Sequence, residues 1–149
     1  MFLHSGNHHE FIKDFCKKTS QPVPETEGEI VRCVLESLAL EYKSALNELL
    51  KISGKKADIV YIIGGGSQNT LLNQMTANAT GLPVIAGPVE ATVIGNAVVQ
   101  LITLGELKDI NAARQLISRM AGLEKYEPED IETWNEAYSR YNNYDSIKE

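Results

Sequence analysis

Gly64, Gly65 and Gly66 follow the apolar run Asp58–Ile63 and precede a segment with helical spacing. Glycine admits backbone angles closed to other residues and lets a ligand approach the main chain. A helix that starts just beyond such a turn presents free N–H groups and the positive end of its dipole, which favour phosphate. The junction "IIGGGSQNT" therefore has two readings: a contact for a phosphate or nucleotide, or a tight strand-to-helix turn that needs only small residues. Two common nucleotide sites are excluded. A phosphate-cradling P-loop requires Gly-Lys-Ser/Thr, and no lysine follows here. The dinucleotide fingerprint requires a third glycine where Asn69 stands.

The other residues able to do chemistry do not converge. Ser67 is not in a Gly-x-Ser-x-Gly elbow and has no histidine assignable as its base, so it is expected to cap a helix. His4, His8 and His9 cluster near the start without a companion set of cysteines or carboxylates and read as solvated surface. Cys16 and Cys33, the only cysteines, are too few for a disulfide framework or a four-ligand zinc site. Glu25, Glu27 and Glu29 read as the charged start of a helix, favoured by its dipole. Trp134, Tyr138 and Tyr141 share one helical face and read as core packing rather than as a platform for a base.

Composition sets the frame for these residues. The chain has 149 residues, 43% hydrophobic and 23% charged, which is ordinary globular composition for one domain. A net charge of -6 argues against a broad nucleic-acid-binding face. No apolar run approaches membrane-spanning length and the start lacks a signal-peptide pattern, so a cytoplasmic location is the default expectation.

The elements that must position the glycines are readable in outline. Asn7 can cap a helix from about His8 to Lys18, and Pro22 and Pro24 then interrupt regular structure. Thr26 and Glu29 fit a capping box for a long helix reaching about Ile52, with Val31, Val34, Leu35, Leu38, Tyr42, Ala45, Leu46 and Leu49 at helical spacing. Asp58–Ile63 suits a strand buried on both faces of a parallel sheet. Further helices are expected over Gln68–Thr80, Glu90 to about Leu104, Asp109–Ala121 and from Pro128 onward, with a second short strand at "PVIAG". The middle is thus a β-α-β-α unit with a right-handed crossover. Two strands are too few for an independent sheet. Either another chain completes it, or the sequence is a piece of something larger.

The stretch "IIGGGSQNTLLNQMTANATGLPVIAGPVEATVIGN" resembles the C-terminal part of the FGGY carbohydrate kinases, and within them the branch acting on L-rhamnulose. "QPVPET", "ESLALEY", "FLHSGN" and the tail "YEPED…W…AYSRY" resemble the same family, so the likeness covers nearly the whole chain. The resemblance implies an incomplete ribonuclease-H-like (actin-like) α/β domain. It spans residues 1–149, with a core over about 26–104 and C-terminal helices over about 109–143. It implies transfer of the γ-phosphoryl group of ATP, with Mg²⁺, to a sugar hydroxyl. Gly64, Gly65 and Gly66 match the family's adenosine motif, with Gly65 closest to the nucleotide and Asn69 toward the ribose or adenine. Gly95 corresponds to a glycine that lets its helix pack close to the sheet. The catalytic aspartate, the sugar contacts and the first strands of the domain lie upstream of Met1 in the family. Asp14, Asp58, Asp109, Asp130 and Asp145 match no catalytic position. Some members pair cysteines at the spacing of Cys16 and Cys33. The implied partner is the N-terminal kinase portion, or a second copy meeting an exposed sheet edge. No catalytic residue, nucleic acid or membrane is expected for this segment, and the alternatives are a non-catalytic nucleotide-binding or interaction module, or a kinase for fuculose or xylulose.

Overall fold

The computed structural model describes residues 7–119 and 122–145. His4 and Ser5 lie outside the described residues, as does the side chain of Asp145. Helix α1 spans His8–Lys18. Asn7 caps it through the backbone, not the side chain: its carbonyl accepts from the Glu10 and Phe11 N–H groups at 3.1 and 3.3 Å. Its ψ of 89° departs from the extended geometry that brings a side chain over the helix end.

Helix α2, Glu27–Ser53, begins at the expected capping box. Thr26 Oγ1 accepts from the Glu29 N–H at 3.2 Å, and the Glu29 carboxylate accepts from the N–H groups of Glu25 and Thr26 at 2.7 and 2.9 Å. Those donors hold the Glu29 carboxyl below the usual glutamate range. Gly54, in the left-handed conformation, ends the helix.

Strand β1 (Val60–Ile62), helix α3 (Thr70–Thr80) and strand β2 (Val84–Ala86) form the expected parallel unit, with Val60 opposite Val84 and Ile62 opposite Ala86. A third strand, β3 (Glu124–Tyr126), pairs antiparallel with β2, so the sheet has three strands in the order β1-β2-β3 and not two. Two of its three residues are charged, which leaves no apolar alternation to announce it. Strand β1 is also not buried on both faces. It is an edge strand, and Tyr61 and Ile63 are 64% and 60% exposed while the alternate residues Val60 and Ile62 are half-buried.

The core lies between α2, α3 and α6 (Ile131–Asp145). Ala39, Leu40, Met75 and Ala79 are buried, with Leu35, Leu72, Trp134, Ala137, Tyr138 and Tyr141 packed against them. The aromatic face expected on the last helix is thus core, although that helix starts at Ile131 and not at Pro128. Lys43 of α2 donates to Asn135 Oδ1 at 2.6 Å and lies over the Tyr138 ring, tying α2 to α6. Helix α4 (Ala91–Thr103) packs on α5 (Ile110–Ser118), which Asp109 caps by accepting from the Asn111 and Ala112 N–H groups, both at 2.9 Å.

Candidate nucleotide-side turn

Strand β1 ends at Ile62 and delivers the chain into Gly64, whose φ of 76° and ψ of -161° is a conformation reserved in practice for glycine. The Gly64 N–H donates to the Pro88 carbonyl at 3.1 Å, and the Gly87 N–H donates to the Ile62 carbonyl at 2.8 Å. The glycine turn is therefore seated on the loop leaving β2. Gly87 is itself required to be small: at φ 104°, an added Cβ would stand 2.6 Å from the Gly122 carbonyl oxygen.

The chain does not pass from the glycines straight into an α-helix. Gly65–Gln68 form one 3-10 turn first, so α3 starts at Thr70 and not at Gln68. This overturns the expectation that Ser67 caps the helix. Ser67 is buried, and its N–H and Oγ both donate back to the Gly64 carbonyl, at 3.0 and 2.7 Å. The side-chain cap is Asn69, whose Oδ1 accepts from the Leu72 N–H at 3.0 Å. Asn69 remains exposed beside the turn. Gly65 and Gly66 are exposed, and a Cβ built on either meets no atom within 4 Å. Three of the four expected nucleotide contacts, Gly65, Gly66 and Asn69, thus lie together on open surface, with Gly64 folding the chain beneath them.

Residues 64–69, Gly-Gly-Gly-Ser-Gln-Asn, contain no ionisable side chain. The turn can hold a ligand through backbone and amide groups, but it supplies no base or nucleophile. Asp14 faces Lys17 at 3.5 Å and Asp109 caps α5, while Asp58 and Asp130 are exposed at the entries to β1 and α6. Among the described residues no group of three or more His, Cys, Asp or Glu could hold a metal ion. His8 and His9 are exposed on α1. Among the described residues a Cβ at Gly95 meets nothing within 4 Å.

Cys16 and Cys33 are free cysteines that line one crevice with Pro22, Pro24, Arg32 and Glu36. Burial, with the neighbouring Cys16 and Glu36 adding to it, pushes the Cys33 thiol up from its ordinary value.

One residue of the site was not anticipated. Asn73 of α3 is completely buried beneath the turn, where its Nδ2 donates to the Ser67 carbonyl at 2.8 Å. The sequence signal was an asparagine between Leu72 and Met75, on the face expected to be apolar.

Residues 3–104 match the model of the FGGY family of carbohydrate kinases, C-terminal domain. The chain is 48% identical over 142 residues, 95% of its length, to a rhamnulokinase of Bacteroides thetaiotaomicron. It resembles the crystal structure of xylulose kinase from Rhodospirillum rubrum with a TM-score of 0.64 over 85% of the chain, at 21% identity, a likeness of fold of the ribonuclease-H-like type. It spans only 29% and 26% of the lengths of those two proteins. A strand–glycine–helix turn set in this fold, with a matching family model over most of the sequence, places the chain in the FGGY family of carbohydrate kinases, as a C-terminal-domain segment.

Proposed function

We propose that this chain is the ATP-side segment of a sugar kinase whose acceptor is L-rhamnulose, and that residues 64–69 contact the adenosine moiety. Gly65 lies closest to the nucleotide, Gly66 beside it, and Asn69 toward the ribose or adenine. The observation that carries this reading is the open backbone at Gly65 and Gly66, in a chain 48% identical to a rhamnulokinase over 95% of its length. Phosphoryl transfer needs positioning, neutralisation of phosphate charge and a base for the acceptor hydroxyl. The turn contributes positioning only. Charge neutralisation by Mg²⁺ and the catalytic base belong to the remainder of a full-length kinase, so the chain alone binds nucleotide weakly and does not turn over sugar. A cytoplasmic setting fits an ATP-dependent enzyme. Cys16 and Cys33 are read as a pair able to join under oxidising conditions.

The test is a titration of the ¹⁵N-labelled chain with ADP and with ATP–Mg²⁺. The amide resonances of Gly65, Gly66 and Asn69 should move and saturate together. Saturable shifts confined to another face of the molecule, or none, would sink the assignment.

A further inference from the structure

We propose that Asn73 is a positioning residue: its buried amide holds the Gly64–Ser67 turn in the form that keeps Gly65 and Gly66 open. The chain of contacts is continuous. Asn73 Nδ2 donates to the Ser67 carbonyl at 2.8 Å, the Ser67 N–H and Oγ donate to the Gly64 carbonyl, and the Gly64 N–H donates to the Pro88 carbonyl. A single side chain of α3 thus sets the height of the turn above the helix and, through it, the seat of the turn on the loop after β2.

The other half of the amide sharpens the argument. Asn73 Oδ1 is buried with no hydrogen-bond partner among the described residues. Turning the amide over would not cure this, because it would set Oδ1 against the Ser67 carbonyl, acceptor against acceptor. The asparagine therefore supplies the turn with a donor from within the core. Leucine, of similar size, would fill the same space but would leave the Ser67 carbonyl without its Asn73 donor. The amide also lies against the Tyr126 hydroxyl of β3, so the same side chain joins the turn to the neighbouring sheet.

For its functional consequence the inference rests on the nucleotide reading of the turn. Its test separates the two. Native-state hydrogen exchange is measured on the wild-type chain and on Asn73→Leu and Asn73→Ala, the second as a smaller apolar variant that also loses the donor should the first not fold. The Ser67 and Asn69 amides, which donate to the Gly64 and Gly66 carbonyls, should exchange roughly tenfold faster, the equivalent of one net hydrogen bond lost. Amides within α3 and β2 should keep their protection. The Asn73→Leu variant should melt slightly lower than wild type, by the cost of the unpaired Ser67 carbonyl. ADP affinity, read from the Gly65 and Gly66 resonances, should fall by roughly the same factor. Unchanged exchange in the turn would overturn the proposal. So would uniform loosening of α3 and β2, which would make Asn73 a general core residue, and so would a loosened turn with undiminished ADP affinity. A locally loosened turn in a chain whose wild type binds no ADP would support the positioning role and defeat the nucleotide reading instead.

Discussion

A Cβ added at Gly87 would stand 2.6 Å from the Gly122 carbonyl oxygen, whereas one added at Gly65 meets nothing within 4 Å. The two glycines of one site thus do opposite work. Gly87, at φ 104°, lets the loop after β2 pass the Gly122 backbone. Alanine there combines a strained backbone with a clash against main chain that cannot swing away, for a loss of roughly 3 kcal/mol. Gly65 has no such neighbour, so Gly65→Ala should leave stability within about 0.5 kcal/mol of wild type. If Gly65 faces the nucleotide, its new methyl group occupies the ligand's space, and the dissociation constant for ADP should rise roughly tenfold or more. Urea denaturation and an ADP titration of both variants check the pair. A Gly65→Ala chain that binds like wild type would remove Gly65 from the contact, and a Gly87→Ala chain as stable as wild type would remove the close approach.

The elements differ in how far the sequence announced them, and the reasons are local. Helix α2 was legible at both ends because Thr26 with Glu29, and Gly54, satisfy its orphan groups with residue types that do little else so well. The glycine triplet marked the turn, but its 3-10 path was hidden: it depends on Ser67 folding back on Gly64, and serine caps helices just as readily. Strand β3 was hidden because its partnership with β2 is non-local and its residues lack an apolar face. The proline-linked pair α1 and α2 shows the same limit. Spacing allowed Cys16 and Cys33 to meet, and the fold sets them as free cysteines on one crevice. With its pKa raised by burial first and by Cys16 next, the Cys33 thiol resists ionisation in the folded chain. Ionisation is then easier in the unfolded chain, so the stability this thiol contributes is fully present below the ordinary thiol pKa and is lost as pH rises from there through the raised folded-state value. At neutral pH, iodoacetamide should modify Cys33 markedly more slowly than it modifies N-acetylcysteine, because the thiolate is the nucleophile. Oxidised glutathione should take up the two thiols as an intramolecular disulfide, releasing reduced glutathione. Thiol counting and intact mass under both treatments decide it: alkylation at the free-thiol rate, or mixed disulfides that never resolve, would defeat the pairing.

At the scale of the molecule, an apolar region along α2 and β1 is left uncovered. Val31, Leu38, Tyr42 and Leu49 form an exposed stripe along α2. A crevice of about 260 Å³ lined by Tyr42, Leu46, Val60, Tyr61, Ile62, Thr76 and Thr80 joins that stripe to β1. Strand β1 is the sheet edge, with Tyr61 and Ile63 mostly in solvent. An uncovered strand edge recruits another strand, and a connected apolar patch marks a contact surface. A net charge of -6 keeps copies apart at long range without covering that patch. Because the chain spans 29% of the rhamnulokinase it matches, the occupant of this face is taken to be the rest of such a kinase, with a second copy as its substitute. Sedimentation velocity should therefore show concentration-dependent association of the chain alone, weakened by Tyr61→Lys, which places a charge on the strand edge. Adding the separately produced N-terminal portion of a rhamnulokinase should dissolve that association and give Mg²⁺-dependent phosphorylation of L-rhamnulose, which neither piece performs alone. A chain that stays monomeric at the highest concentration reached, and gains no activity from the added portion, would mean that this face is not where the kinase is completed. Sugar turnover by the pure chain would refute the division of labour outright, since a segment whose glycine turn holds no ionisable group would then be carrying the acceptor's base elsewhere within its own residues.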